Sequence, residues 1–132
     1  MNFVSIRVIT DNVKRLADFY AQITGVAPRW GNDDFAELVS PAGTLAIAST
    51  RTIALFGANA AHAADNHSVI IEFRVDDVDS EYQKLRELSV DFVNEPTTQP
   101  WGNRSLLFRD PDGNLINFFT PITPEALSRN AP

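Results

Sequence analysis

Apolar residues alternate with polar or mixed ones over two short stretches of the chain. Val4, Ile6 and Val8 set the pattern from Val4 to Val13, and Val69, Ile71, Phe73 and Val75 repeat it from Val69 to Val78. Period two marks a strand with one buried face. Beyond each stretch the period lengthens: Leu16, Phe19, Tyr20 and Ile23 recur at helical spacing, and so do Val78, Tyr82, Leu85 and Leu88. Amphipathic helices are therefore predicted over about 13–24 and about 79–88. Asp11 or Asn12, and Asp77 or Asp79, stand where first-turn amides need a side-chain acceptor, and Gly25 stands where the first helix stops.

The two copies resume after their helices. Gly25-Val26 and Ser89-Val90 lead into further strands, and Ser-Pro-Ala-Gly-Thr-Leu-Ala-Ile from Ser40 to Ile47 answers Asp-Pro-Asp-Gly-Asn-Leu-Ile-Asn from Asp110 to Asn117. In both, Pro and Gly punctuate a tight turn between strands. The second copy is longer by about five residues, which fit best at Thr97–Trp101. The chain thus reads as βαβββ twice, an α+β pattern within a single domain over residues 1–132. Module one spans about 1–50 and module two about 67–121. A linker over about 51–66 has Ile53, Leu55 and Phe56 as its substantial apolar groups, and a tail over 122–132 shows no strong pattern.

Composition narrows the chemistry. With 44% hydrophobic and 21% charged residues, the chain has enough apolar content for a core and too little charge for a disordered segment. Cysteine is absent, which removes disulfides, zinc knuckles, iron–sulfur sites and thiol nucleophiles. Seventeen acidic against eleven basic residues give a net charge of -6. That balance argues against duplex nucleic acid as a partner and favours a cationic ligand. No apolar run approaches about 18 residues and no basic start precedes an apolar core, so neither a membrane span nor a signal peptide is expected, and a cytoplasmic location is.

Two segments carry a family resemblance: Phe-Arg-Asp-Pro-Asp-Gly-Asn-Leu-Ile-Asn-Phe from Phe108 to Phe118, and Arg-Leu-Ala-Asp-Phe-Tyr from Arg15 to Tyr20 with Gly25 after it. On these the chain resembles the vicinal oxygen chelate superfamily, which includes glyoxalase I, extradiol dioxygenases, fosfomycin-resistance enzymes and bleomycin-resistance proteins. The resemblance covers Val4 to Pro121. It implies two βαβββ modules forming a U-shaped mixed sheet with helices on the convex face, a site in the concave face, and a homodimer. The superfamily's metal enzymes take ligands from four strand positions, which correspond to Ser5, Ile47, Ile70 and Asn117. A hydroxyl, two aliphatic groups and an amide make a poor donor set for a divalent ion. Neither a metal nor another cofactor is therefore expected. His62 and His67 lie in or beside the linker and read as solvated side chains.

If the apolar alternates pack on the helices, Ser5, Arg7, Ile70 and Glu72 face the cleft. Arg7 and Glu72 are equivalent in the two copies, and they form either a structural ion pair or opposite charges offered to a ligand. Glu37 and Glu72 are the candidate general bases. Trp30, Phe35, Phe56 and Phe119 are candidate aromatic walls. Trp101, in Gln-Pro-Trp-Gly, lies in a stretch similar to one in bleomycin-resistance proteins, which sequester their drug without a metal of their own. The expectation is a metal-free binding protein for an aromatic or cationic, antibiotic-like small molecule, a role in antibiotic resistance rather than catalysis. A divalent-metal-dependent lyase or dioxygenase, or a metal-free enzyme using Glu37 or Glu72, is the alternative.

Overall fold

A computed structural model describes residues 1–131 and forms two units, one of residues 1–66 with 111–113, the other of 67–110 with 114 onward. The first unit runs β1 (Ser5–Thr10), α1 (Val13–Thr24), β2 (Arg29–Asn32), β3 (Phe35–Val39), β4 (Thr44–Ser49) and α2 (Thr50–Ile53). Its sheet has the order β1-β4-β3-β2, with β1 parallel to β4 and the other pairs antiparallel. The second unit runs β5 (Ile70–Arg74), α3 (Val78–Arg86), β6 (Asp91–Phe92), β7 (Thr97–Thr98), β8 (Asn103–Arg109), β9 (Leu115–Pro121) and α4 (Pro124–Arg129). Its order β5-β9-β8-β6 repeats the first, with β5 parallel to β9 and β7 added beside β8. The fold is α+β, built from two mixed sheets of one topology.

Local chemistry explains the helices. Asn12 caps α1 by accepting from the Arg15 amide at 3.0 Å, and Gly25 ends it in the left-handed conformation with φ 73°. Asp77 caps α3 by accepting from the amides of Asp79 and Ser80, and the two backbone bonds hold its carboxyl below the usual range together with the Ser80 hydroxyl, the largest cause. In the first unit Leu16, Ala17 and Tyr20 of α1 are fully buried, and α1 packs on β3 and β4. In the second, aromatic rings interlock edge to face: Phe108 on Phe118 at 5.0 Å, Phe73 on Phe118 at 5.7 Å and Tyr82 on Phe92 at 5.1 Å.

The two hairpin turns differ in a way that resets the repeat. In the first the Ser40 amide donates to the Gly43 carbonyl. In the second the Asp110 amide reaches Asn114, one residue further, and the Asn114 amide and side chain return bonds to the Asp110 carboxylate at 3.0 and 2.7 Å. Asp110 and Asn114 are buried, so this polar pair is a closed internal knot. The extra residue means that the equivalent of Asn117 in the first module is Ala46. Ile47 was the expected partner. It is instead paired with Val8 and Ala36 and only 1% exposed, because strand alternation turns it toward the buried face.

The tail also departs from expectation. Thr123 accepts from the Ala126 amide at 3.2 Å and Pro124 occupies the first turn, so a helix starts where no pattern was read. The helix is fastened by Arg129, which donates to the Trp101 carbonyl at 2.7 Å, and by Arg74, which donates to the Asn130 carbonyl. Its seat needs Gly102. A Cβ there would lie 2.0 Å from Thr123 Oγ1 and 3.0 Å from the Ala126 Cβ, at a φ of +93°. Gly25 also has a positive φ, +73°, but open space around it. We expect Gly25→Ala to cost about 1–2 kcal/mol from backbone strain alone, and Gly102→Ala about 2–5 kcal/mol because overpacking is added. Urea unfolding of the two variants checks the order, and equal losses would contradict this packing.

Candidate functional site

Each sheet has one face toward its helix and one face away from it, and the parallel register fixes what the second displays. In the first unit Ser5, Arg7 and Ile9 of β1 sit beside Thr44, Ala46 and Ala48 of β4, which sit beside Val39, Glu37 and Phe35 of β3. The guanidinium of Arg7 lies over the Phe35 ring at 5.2 Å and over the Phe56 ring at 5.6 Å. Its cross-strand neighbour Ala46, and that of Phe35, Ala48, have only methyl side chains, which leaves the larger groups room to lie across the sheet. Phe56 comes from the segment after α2 and is 67% exposed, a large apolar ring left in solvent.

Phe56 reaches this face because α2 is anchored. Asp34, between β2 and β3, accepts from the Ser49 hydroxyl and from Arg51 Nε, both at 2.8 Å. The Arg51 hydrogen bond, followed by that of Ser49, lowers the Asp34 pKa below the ordinary carboxylate range, and Asp34 in turn raises that of Arg51. No local pattern marks this anchor, since its partners are brought together only by the hairpin.

Glu37 is on the same face as Arg7 and accepts from Arg29 at 3.3 Å, so it is an ion-pair member. Trp30 pairs with Ala36, which puts it on the opposite face from Arg7; with Lys14, Asp18 and Asp33 it lines a cavity of about 410 Å³ on the α1 side. Trp30 is therefore a correction, not a wall of the Arg7 face, because period-two alternation separates it from Glu37. A second cavity of about 440 Å³ lies under the linker, lined by Asp11, Ile53 and His62 among others.

In the second unit Ile70, Glu72 and Arg74 of β5 sit beside Leu115, Asn117 and Phe119 of β9, with Leu107 and Ser105 of β8 next in the row. Asn117 Nδ2 donates to Glu72 Oε2 at 2.8 Å. Its own Oδ1 is buried without a hydrogen-bond partner, an acceptor that costs about 1–3 kcal/mol when left unmatched. Trp101 is in the turn closed by the Gly102 amide on the Gln99 carbonyl, and is 57% exposed. Arg7 and Glu72 each find their partner within their own unit: rings for one, an amide for the other.

The four positions tested for a divalent ion hold Ser5, Ala46 in place of Ile47, Ile70 and Asn117. The set offers one hydroxyl and one amide and no anionic or imidazole donor. Among the described residues, no three His, Asp or Glu side chains converge anywhere. The superfamily's metal does not fit these residues. Among the same residues no helix is long and apolar enough to cross a membrane.

Comparison with known proteins agrees with this architecture. A family model described as the Glyoxalase/Bleomycin resistance protein/Dioxygenase superfamily matches residues 2–118. The uncharacterized protein YraH of Bacillus subtilis (strain 168) is 26% identical over 125 residues, covering 90% of this chain and 98% of its own. A glyoxalase/bleomycin resistance protein/dioxygenase from Nocardioides superposes with a TM-score of 0.76 at 19% identity, over 94% of this chain and 85% of that one. A family enzyme from Burkholderia phytofirmans PsJN gives 0.76 at 14% identity, over 89% and 97%.

The Asp34 anchor yields a pH prediction. A carboxylate whose folded pKa is depressed stabilises the fold above its unfolded pKa of about 3.9 and loses that contribution as pH falls through the lower folded value. Asp34→Asn should therefore lower the Tm at pH 7 and reduce the further loss of Tm between about pH 4 and pH 2 relative to wild type. Parallel acid curves for the two proteins would rule out the anchor as a titrating tie.

Proposed function

This chain belongs to the Glyoxalase/Bleomycin resistance protein/Dioxygenase superfamily, and we propose that it binds a small planar aromatic molecule without a metal and acts by sequestering it. The observation that carries the reading is the donor set at the superfamily's ligand positions: Ser5, Ala46, Ile70 and Asn117 cannot replace the hydration of a divalent ion. What the sheet faces offer in its place suits binding. Arg7 between Phe35 and Phe56 supplies flat apolar area and N–H donors, and in the other unit Phe119 and the exposed Trp101 supply further aromatic area. Such sites combine broad aromatic contact with a few polar groups that orient the ligand.

One observation favours a second reading. The Asn117 amide holds Glu72 by one oxygen on an exposed sheet face, the arrangement a positioned base requires, whereas Glu37 is taken up by Arg29. On that reading Glu72→Gln would lower the turnover of a substrate by about 10²-fold or more.

Tryptophan fluorescence and calorimetry separate the readings when the protein is titrated with planar compounds of the phenazine and mitomycin classes, before and after equilibration with zinc and manganese. Binding with the compound recovered unchanged and no metal dependence is expected. Stoichiometric metal uptake that switches on binding or turnover would overturn the proposal.

A further inference from the structure

The arginines of this chain are not alike. Arg15, Arg29, Arg51 and Arg104 donate to carboxylates, and Arg74 and Arg129 donate to main-chain carbonyls. Arg86 lies over the single ring of Tyr82 and donates to the Gln83 side chain, whereas Arg7 lies over two rings and its guanidinium N–H groups have no protein acceptor among the described residues. The distinction matters because a guanidinium is planar: stacking uses its faces and leaves its edge of donors unspent. A solvated arginine would have the same donors but no fixed plane. Phe35 is held by its strand and Phe56 by the anchored segment after α2, so Arg7 is oriented before any ligand arrives.

We propose that this sheet face selects a planar aromatic carboxylate. The two carboxylate oxygens accept from the free edge of Arg7 in the paired geometry that guanidinium favours, and the aromatic body lies against Phe35 or Phe56. This rests on the reading that the ligand binds to the exposed sheet faces, and it reverses the charge that composition alone suggests. The net charge of -6 acts through solvent over a screening length of about 8 Å. At contact distance the local groups decide. Glu37, the carboxylate that shares this face, is already matched by Arg29, so it does not cancel Arg7.

The experiment is calorimetry of the intact protein with three probes of one shape: 2-naphthoate, 2-naphthylmethylammonium and 2-naphthalenemethanol. Naphthoate should bind about tenfold or more tightly than the other two. Arg7→Met should abolish that preference, and Arg7→Lys should retain only part of it, since an ammonium keeps the charge and loses the fork. Phe56→Leu should weaken all three. Arg7 is exposed, so unchanged Tm values confirm that the variants are folded. Equal binding of the three probes, tighter binding of the ammonium, or a carboxylate preference that survives Arg7→Met overturns the inference while leaving a binding protein in place. Failure of all three probes overturns it as well, and the broader panel above then decides whether the binding reading falls with it.

Discussion

The parallel register that seats each module's first strand on its last decides which side chains reach the exposed sheet faces. Ser5 lies against Thr44 and Arg7 against Ala46, while Ile70 lies against Leu115 and Glu72 against Asn117. Shifting either pair by one residue would exchange these groups for Leu45, Ile47, Ile116 and Phe118, all of them buried. The hydrophobic cost of such a slip, about 1.5–3 kcal/mol for each large side chain exposed, is far greater than the worth of any single polar contact on the displayed face. Register is thus set by the core, and the site is its consequence.

That hierarchy explains how one topology can carry two different surfaces. The first module presents an arginine between aromatic rings over small alanines; the second presents a carboxylate tied to an amide. The buried halves of the modules differ too, aliphatic with one tyrosine in the first and a chain of phenylalanines in the second. Each surface needs a support of its own. For Arg7 it is the Asp34 tie that brings Phe56 up; for Glu72 it is Asn117.

Much of this was readable from the chain. The strand–helix alternation, the Asn12 and Asp77 caps and Gly25 follow from period and short-range chemistry, and all lie within a few residues of the expected positions. The long-range details were hidden for identifiable reasons. Ile47 matches Asn117 when the two turns are superposed Gly to Gly, whereas the Asp110–Asn114 knot adds a residue to one of them. Trp30, a candidate wall by its residue type, falls on the face opposite Arg7, and β2, short and bulged between Trp30 and Asn32, is too brief to display its alternation. Helix α4 did leave a signal, Thr123-Pro124 as cap and first turn, but too few apolar positions follow to display a period. The pairing of Arg7 with Phe56 has no local signal at all, since it joins a strand to a distant linker.

Arg7 is held by aromatic faces with its donor edge open to a carboxylate. Nitrogen-resolved NMR of the arginine side chains tests this arrangement without any variant. The Arg7 Nε–H proton should be displaced upfield by the two rings in the free protein and move downfield on addition of 2-naphthoate as the new hydrogen bonds form. An Arg7 resonance at the position of a solvated arginine, unmoved by the carboxylate, would contradict it.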